Sequence, residues 1–204
     1  MKSVFLNIKA ALMTVILCLP LFSQAGMTLK NQTGYPANYT VMKGRLVIAR
    51  IPSIAPDSQV FIPTDDTFQV TAVTIIDGNT YTSAPLDVSG PTQFLAQVIQ
   101  VPSQGAYEFN VIALPSSSPN VLQFQKTTMS SVTFIISRNG RPLQNIVVNN
   151  SFDIQELAIE DDFYIQAVIA GFTTDLYTTK NPNATVTATE DRSAFDGYFV
   201  LDIQ

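Results

Sequence analysis

The chain has 204 residues, 46% of them hydrophobic, with 11 Lys and Arg against 16 Asp and Glu and a formal charge of −5. That apolar content is enough for packed cores and argues against disorder, while the acidic balance argues against nucleic acid and anionic lipid as partners. Histidine and tryptophan are absent and Cys18 is the single cysteine, which removes the side chain that titrates near neutrality, the commonest nitrogen ligand, and any thiolate metal set.

Residues 1–25 read as a secretory signal peptide. Lys2 and Lys9 give a positive start, and the apolar run "AALMTVILCLPLF" follows. Ser23 and Ala25 then supply small residues for cleavage after Ala25. The run is shorter than the ~20 residues a membrane span needs, and no later run approaches that length. Cys18 leaves with this segment, so disulfides and cysteine nucleophiles are excluded from the exported chain. An exported domain of this size without a disulfide framework points to a bacterial periplasmic or secreted protein. Lys2 and Lys9 leave as well, and nine basic against sixteen acidic side chains put the remainder near −7.

From residue 26 onward the composition is that of strands. Val, Ile, Thr, Tyr and Phe alternate with polar residues in runs of five to nine, bounded by Gly, Pro, Asn, Asp and Ser, the pattern of half-buried strands with turns between them. In chain order the candidates are "MTLKNQT", "YTVMKG", "RLVIARI", "QVFI", "FQVTAVTII", "TQFLAQVIQV" and "AYEFNVIAL", then "VLQFQK", "SVTFIIS", "DIQELAI", "FYIQAVIA" and "GYFVLDI". No helix of three turns is expected. Asp77-Gly78 and Asn139-Gly140 carry the signature of tight hairpins, because both dipeptides tolerate positive φ.

Pro115-Ser116-Ser117-Ser118-Pro119 has no apolar residue to bury and two prolines that cannot continue a central strand. It reads as a linker. The expected organisation is therefore a signal peptide (1–25), a first β-sandwich domain (26–114), the linker (115–119) and a second domain (120–204). The general shape is immunoglobulin-like or fibronectin-like, a likeness of strand number and spacing that implies no shared function.

The phrases "TDDTFQVTAV" and "EDDFYIQAV" suggest that the two domains are copies. A shift of 95 residues places Asp66 on Asp161, Phe68 on Phe163, Val70 on Ile165, Ala72 on Ala167 and Val73 on Val168 without a gap. Identity is six of the 46 positions from 28 to 73, and four of the six lie in the last eight. The first half runs on into 106–114, whereas the second stops after "GYFVLDI". Either the second domain lacks a last strand and offers an edge to a partner or a second copy, or 106–114 belongs to it and the boundary lies near Pro102, or it is simply smaller with a covered edge.

The acids are candidates for a Ca²⁺ site. Glu160, Asp161 and Asp162 are consecutive, and of these only Glu160 and Asp162 point to one face of an extended chain. A solvated cluster that blunts a strand edge is the simpler reading. Two carboxylates could also drive glycoside hydrolysis, but no nucleophile elbow, S-x-x-K arrangement or phosphate loop accompanies them. Tyr81 and Tyr177, each followed by Thr, are either recurring ligand-stacking positions or a shared packing position. The expected function is non-enzymatic: a structural or adhesive protein of the cell envelope or extracellular matrix that binds a protein or glycan through sheet faces, edges or loops, with no cofactor required. The contrasting class is a secreted hydrolase or small-molecule binder whose carboxylates converge only in the fold.

Overall fold

The computed structural model describes residues 25–101, 106–191, 193 and 198–204. These residues form eighteen strands in four sheets, numbered here in chain order, and no helix. Sheet I has the order β18 (Phe199–Ile203), β17 (Thr185–Glu190), β1 (Gly26–Asn31), β4 (Ser58–Pro63). Sheet II has the order β15 (Phe172–Thr173), β14 (Phe163–Ile169), β2 (Ala37–Lys43), β3 (Leu46–Ile54), with β16 (Tyr177–Thr179) also on β14. Sheet III has the order β13 (Ile154–Ala158), β10 (Val121–Lys126), β8 (Thr92–Val101), β9 (Ala106–Pro115). Sheet IV has the order β12 (Arg141–Val148), β11 (Val132–Arg138), β5 (Thr67–Ile76), β6 (Asn79–Thr82), with β7 (Leu86–Ser89) also on β5.

Every sheet draws strands from both sides of residues 115–119, so 26–114 and 120–204 do not fold as separate units. That expectation is corrected: 115–119 joins two strands of sheet III, and Gln123 organises it by accepting from the Ser116 and Ser117 hydroxyls at 3.2 and 3.1 Å. Sheets III and IV are built from β5–β13 alone, whereas sheets I and II combine β1–β4 with β14–β18. The chain thus leaves the first pair of sheets through Thr64-Asp65-Asp66 and returns through 159–162.

A numerical relation runs through the topology. Adding nine to each strand number, counted cyclically, turns sheet I into sheet III and sheet II into sheet IV, including the extra strand on β14 or β5. The two parallel pairings correspond as well: Leu29 lies opposite Val186 on β1 and β17, and Phe124 lies opposite Phe94 on β10 and β8. Among the described residues the two halves contribute equal numbers of strands. β18 holds on β17 the place that β9 holds on β8.

The phrase that repeats in the sequence is the middle strand of a sheet in each case. β5 is paired on one side by β11 and on the other by β6 and β7, and β14 by β2 and by β15 and β16. With both edges covered and one face inward, every second residue turns into the core. Phe68, Val70 and Ala72 on β5 and Phe163, Ile165, Ala167 and Ile169 on β14 are buried accordingly. Sheets III and IV meet through Phe124, which stacks on Phe94 at 5.4 Å between ring centroids and tilts against Phe134 of the facing sheet at 5.2 Å. Sheets I and II meet where the buried Tyr39 hydroxyl donates to the Lys30 carbonyl at 2.7 Å. Each such aromatic contributes about 1.5–3 kcal/mol by leaving water.

The hairpins form where the sequence places them. Ile76 pairs with Asn79 across Asp77-Gly78, and Arg138 with Arg141 across Asn139-Gly140. All four turn residues have positive φ, the backbone that a two-residue hairpin of the right twist requires. The signal-peptide expectation falls on residues 1–25, of which only Ala25 is described. Among the described residues no helix is long and apolar enough to cross a membrane.

Candidate functional site

Two constellations stand out, one polar and one aromatic. The polar one sits on the segments by which the chain changes sheet pairs. Lys43, the last residue of β2, is buried to 9% side-chain exposure and donates to both Asp66 oxygens at 2.8 and 2.9 Å. Its Nζ also lies 3.1 Å from Asp161 Oδ1, so one ammonium ties the outgoing crossover to the returning one. Burial by itself would lower the Lys43 pKa, but the hydrogen bonds and charges of Asp66 and Asp161 outweigh it and raise it.

Arg138, the last residue of β11, holds the outgoing crossover from the other side. Its guanidinium donates to the carbonyls of Pro63 at 2.7 Å, Thr67 at 3.3 Å and Asp65, and its carbon lies 4.5 Å from the Phe68 ring centroid. Burial pulls its pKa below the usual range while the charges of Asp65 and Asp66 oppose that. Lys43 and Arg138 are 95 residues apart, the same shift that superposes the repeated phrases, and the sequence alone did not single them out. The returning crossover is clamped by backbone: Gly44 and Arg45 amides donate to Asp162 and Ala158 carbonyls, each at 2.8 Å.

The acids considered for Ca²⁺ are accounted for differently. Asp162 lies 3.7 Å from Lys180 Nζ, and Glu160 is exposed on a groove shared with Arg45, Gln144 and Tyr164. Among the described residues no three acidic side chains converge as a metal would need. The carboxylates that do come together, Asp66 and Asp161, meet around an ammonium.

The aromatic constellation lies at the far end of sheets III and IV from the crossovers, where β5 ends and the antiparallel β11 begins. A cavity of about 450 Å³ opens there. Ile76, Asp77 and Tyr81 from the β5–β6 hairpin, Val98 from β8, Tyr107 and Phe109 from β9, and residues 127–130 between β10 and β11 line it. Phe109 is buried and forms the floor, whereas Tyr107 and Met129 are 70% and 95% exposed and form the rim.

The 127–131 wall is fixed from beneath. Lys126, fully buried, donates to the Thr128 carbonyl at 2.9 Å, and the Ser151 hydroxyl donates to the same oxygen at 2.7 Å. Thr74 donates to the Ser131 carbonyl at 2.8 Å. Asp77 is the one charged group among the described lining residues. Such a seat can enclose an apolar group and orient it with hydroxyls and a single carboxylate; it presents no acid–base pair.

Tyr81, on β6 opposite Thr74 of β5, belongs to this cavity. Tyr177 does not correspond to it. It lies opposite Ile165 on β16, the place that Leu86 takes opposite Val70, and packs half-buried against the core. The equivalence drawn from the shared Tyr-Thr dipeptide is therefore corrected: the β14–β15 hairpin is shorter than the β5–β6 hairpin, which shifts the register of everything after it. The place that Phe109 takes on β9 opposite Val98 is taken on β18, opposite Glu190, by Phe199, which is ringed by Tyr35, Phe172 and Tyr198 at centroid distances of 6.0, 6.4 and 5.1 Å. Tyr107, Phe109 and Met129 were not found from sequence, since nothing local distinguishes them from core or loop residues. No protein-family model, curated protein or solved structure matches this chain.

Proposed function

We propose that the chain is an exported, non-enzymatic binding and structural protein of the bacterial envelope or its surroundings, and that the seat at Tyr81, Tyr107, Phe109 and Met129 holds an apolar side chain of a protein partner. The observation that carries this reading is a preformed aromatic cavity whose wall is braced by the buried Lys126. Exposed aromatic and Met side chains around a buried floor are what interface anchors use. Asp77 and the overall charge of −5 favour a partner with Lys or Arg beside the anchor. The lining also carries the hydroxyls of Tyr81, Tyr107, Thr127, Thr128 and Ser130, so a glycan is the competing occupant that the test separates. A hydrolase reading gains nothing from Asp66 and Asp161, because Lys43 between them makes a strap rather than an acid and a base.

The same proposal extends to origin. The cyclic relation between β1–β9 and β10–β18, with the shift of 95 residues, supports duplication of a nine-strand unit, each pair of sheets having the general shape of an immunoglobulin-like or fibronectin-like sandwich.

Selection of random displayed peptides on the immobilised protein tests the binding reading. Binders should carry an aromatic or aliphatic anchor next to Lys or Arg, and binding should be lost in Tyr107→Ser and Met129→Asp. Binders indifferent to both substitutions, or capture of neutral oligosaccharides instead, would overturn it.

A further inference from the structure

We propose that a second copy of this chain is a built-in partner: β14–β18 of one molecule can complete the β1–β4 block of the next, joining copies head to tail. The inference rests on strand topology and stands apart from the aromatic seat. Sheets III and IV take no strand from outside β5–β13, so the middle of the chain is closed upon itself. The two ends are not. Each is half of sheets I and II, and each carries what the other lacks.

The complementarity is extensive. β1 runs parallel to β17 from Thr28↔Thr185 to Asn31↔Ala188, and β2 runs antiparallel to β14 from Ala37↔Ile169 to Lys43↔Phe163. Apart, the blocks would expose Leu29, Val41, Ile165 and Val186, all of which are fully buried together. A terminal block from another copy has the same sequence and offers the same pairings, so exchange keeps the sheet contacts and changes only the crossovers. This is the condition under which strand exchange costs little.

The crossovers are suited to act as hinges. They are short, and what holds them is polar: Lys43 with Asp66 and Asp161, and Arg138 on the carbonyls of Pro63, Asp65 and Thr67. Asp161 is 93% exposed and Asp66 38%, so these groups re-solvate when a crossover opens. Only one of the two needs to open. Because the donated block and the accepting block are different surfaces, the contact is heterologous, and its repetition gives rings or open filaments. A block tethered to its own chain has an effective concentration in the millimolar range, so the single chain prevails when dilute and exchange needs concentrated protein and a transient opening.

The test uses the full chain with Cys18→Ser, Thr28→Cys and Thr185→Cys, joined by a short bismaleimide after a cycle through partial unfolding. At low concentration the linked product should be single chains; at high concentration it should be covalent dimers and longer ladders, with more ladder in an added Arg138→Gln background. A second placement, Thr40→Cys with Gln166→Cys, reports on the antiparallel seam by the same readout. Protein that stays monomeric at every concentration, or oligomers whose links remain within single chains at both placements, would overturn the proposal.

Discussion

Lys43 and Arg138 occupy the same position on β2 and β11, the last residue of each strand, and each grips the outgoing crossover with its charged end, Lys43 through the Asp66 carboxylate at 2.8 Å and Arg138 through the Pro63 carbonyl at 2.7 Å. The acidic phrases that stand out in the sequence are therefore the places where the chain passes between sheet pairs, and the two cations are what make those passages compact.

Lys43→Met should destabilise the fold without unfolding it. Asp66 and Asp161 remain open to water at 38% and 93% exposure, so the loss is that of charge-assisted hydrogen bonds, about 1–3 kcal/mol. At roughly 2–4 °C per kcal/mol for a chain of this size, calorimetry should register a clear drop in Tm. Asp161→Asn should stay within about 0.5 kcal/mol of the wild type.

Alkaline pH should erode stability from two sites in the same direction. Burial pulls the Lys43 pKa down, but the hydrogen bonds and charges of Asp66 and Asp161 together outweigh it and raise it above 10.5, so its contribution is complete below 10.5 and fades as pH climbs through the folded value. Burial pushes the Tyr39 hydroxyl well above 10.0, so the unfolded chain ionises first and stability again falls as pH rises past 10.0. Tm measured from pH 8 to 11.5 should fall at the upper end, and less so in Tyr39→Phe. A flat profile would contradict both assignments.

Asn31→Leu should be among the costlier single changes. The side chain is fully buried and donates to the Tyr35 and Ile54 carbonyls at 2.8 Å each, while its oxygen accepts from Thr33 N and Oγ1 at 3.0 and 2.8 Å. Leucine would leave those groups unpaired in the interior, at about 2–4 kcal/mol, measurable by urea unfolding.

Two glycines separate backbone strain from collision. Gly44 has φ +58°, and a Cβ there would sit 2.7 Å from the Glu160 amide nitrogen and 2.8 Å from the Ala158 oxygen. Gly78 has φ +79° with open space around it. Gly78→Ala should cost about 1–2 kcal/mol, the left-handed conformation alone. Gly44→Ala should cost at least about 3 kcal/mol, because the returning crossover must also move. Equal losses in the two variants would mean that the crossover does not press on β3's entry.

Much of the local structure was legible in the sequence, and little of the pairing. Phe68, Val70 and Ala72 announce a strand with one buried face, and Asp77-Gly78 and Asn139-Gly140 announce hairpins, because periodicity and turn chemistry are local. Which strand lies alongside is not local. Leu29 would be equally apolar beside any neighbour, so nothing in β1 says that its parallel partner is Val186 rather than a residue of its own half. The shift of 95 residues carried that information in part, since it aligns Lys43 with Arg138, but a shift shows that two segments are alike and not that they exchange partners. Residues 115–119 misled for a related reason: Pro and Ser serve a linker and a tight loop alike, and the buried Gln123 that decides between them lies further along the chain. Tyr81 and Tyr177 misled because a shorter hairpin had moved the register.

The most direct test is a backbone assignment of the folded monomer with cross-strand NOEs from Thr28. The expected result is contact with Thr185 on one side and with Phe61 on the other, and likewise Gln123 with Gln93 and Glu156. NOEs that tie Thr28 only to residues before 115, with none to β17, would show two consecutive domains and contradict the interleaved fold.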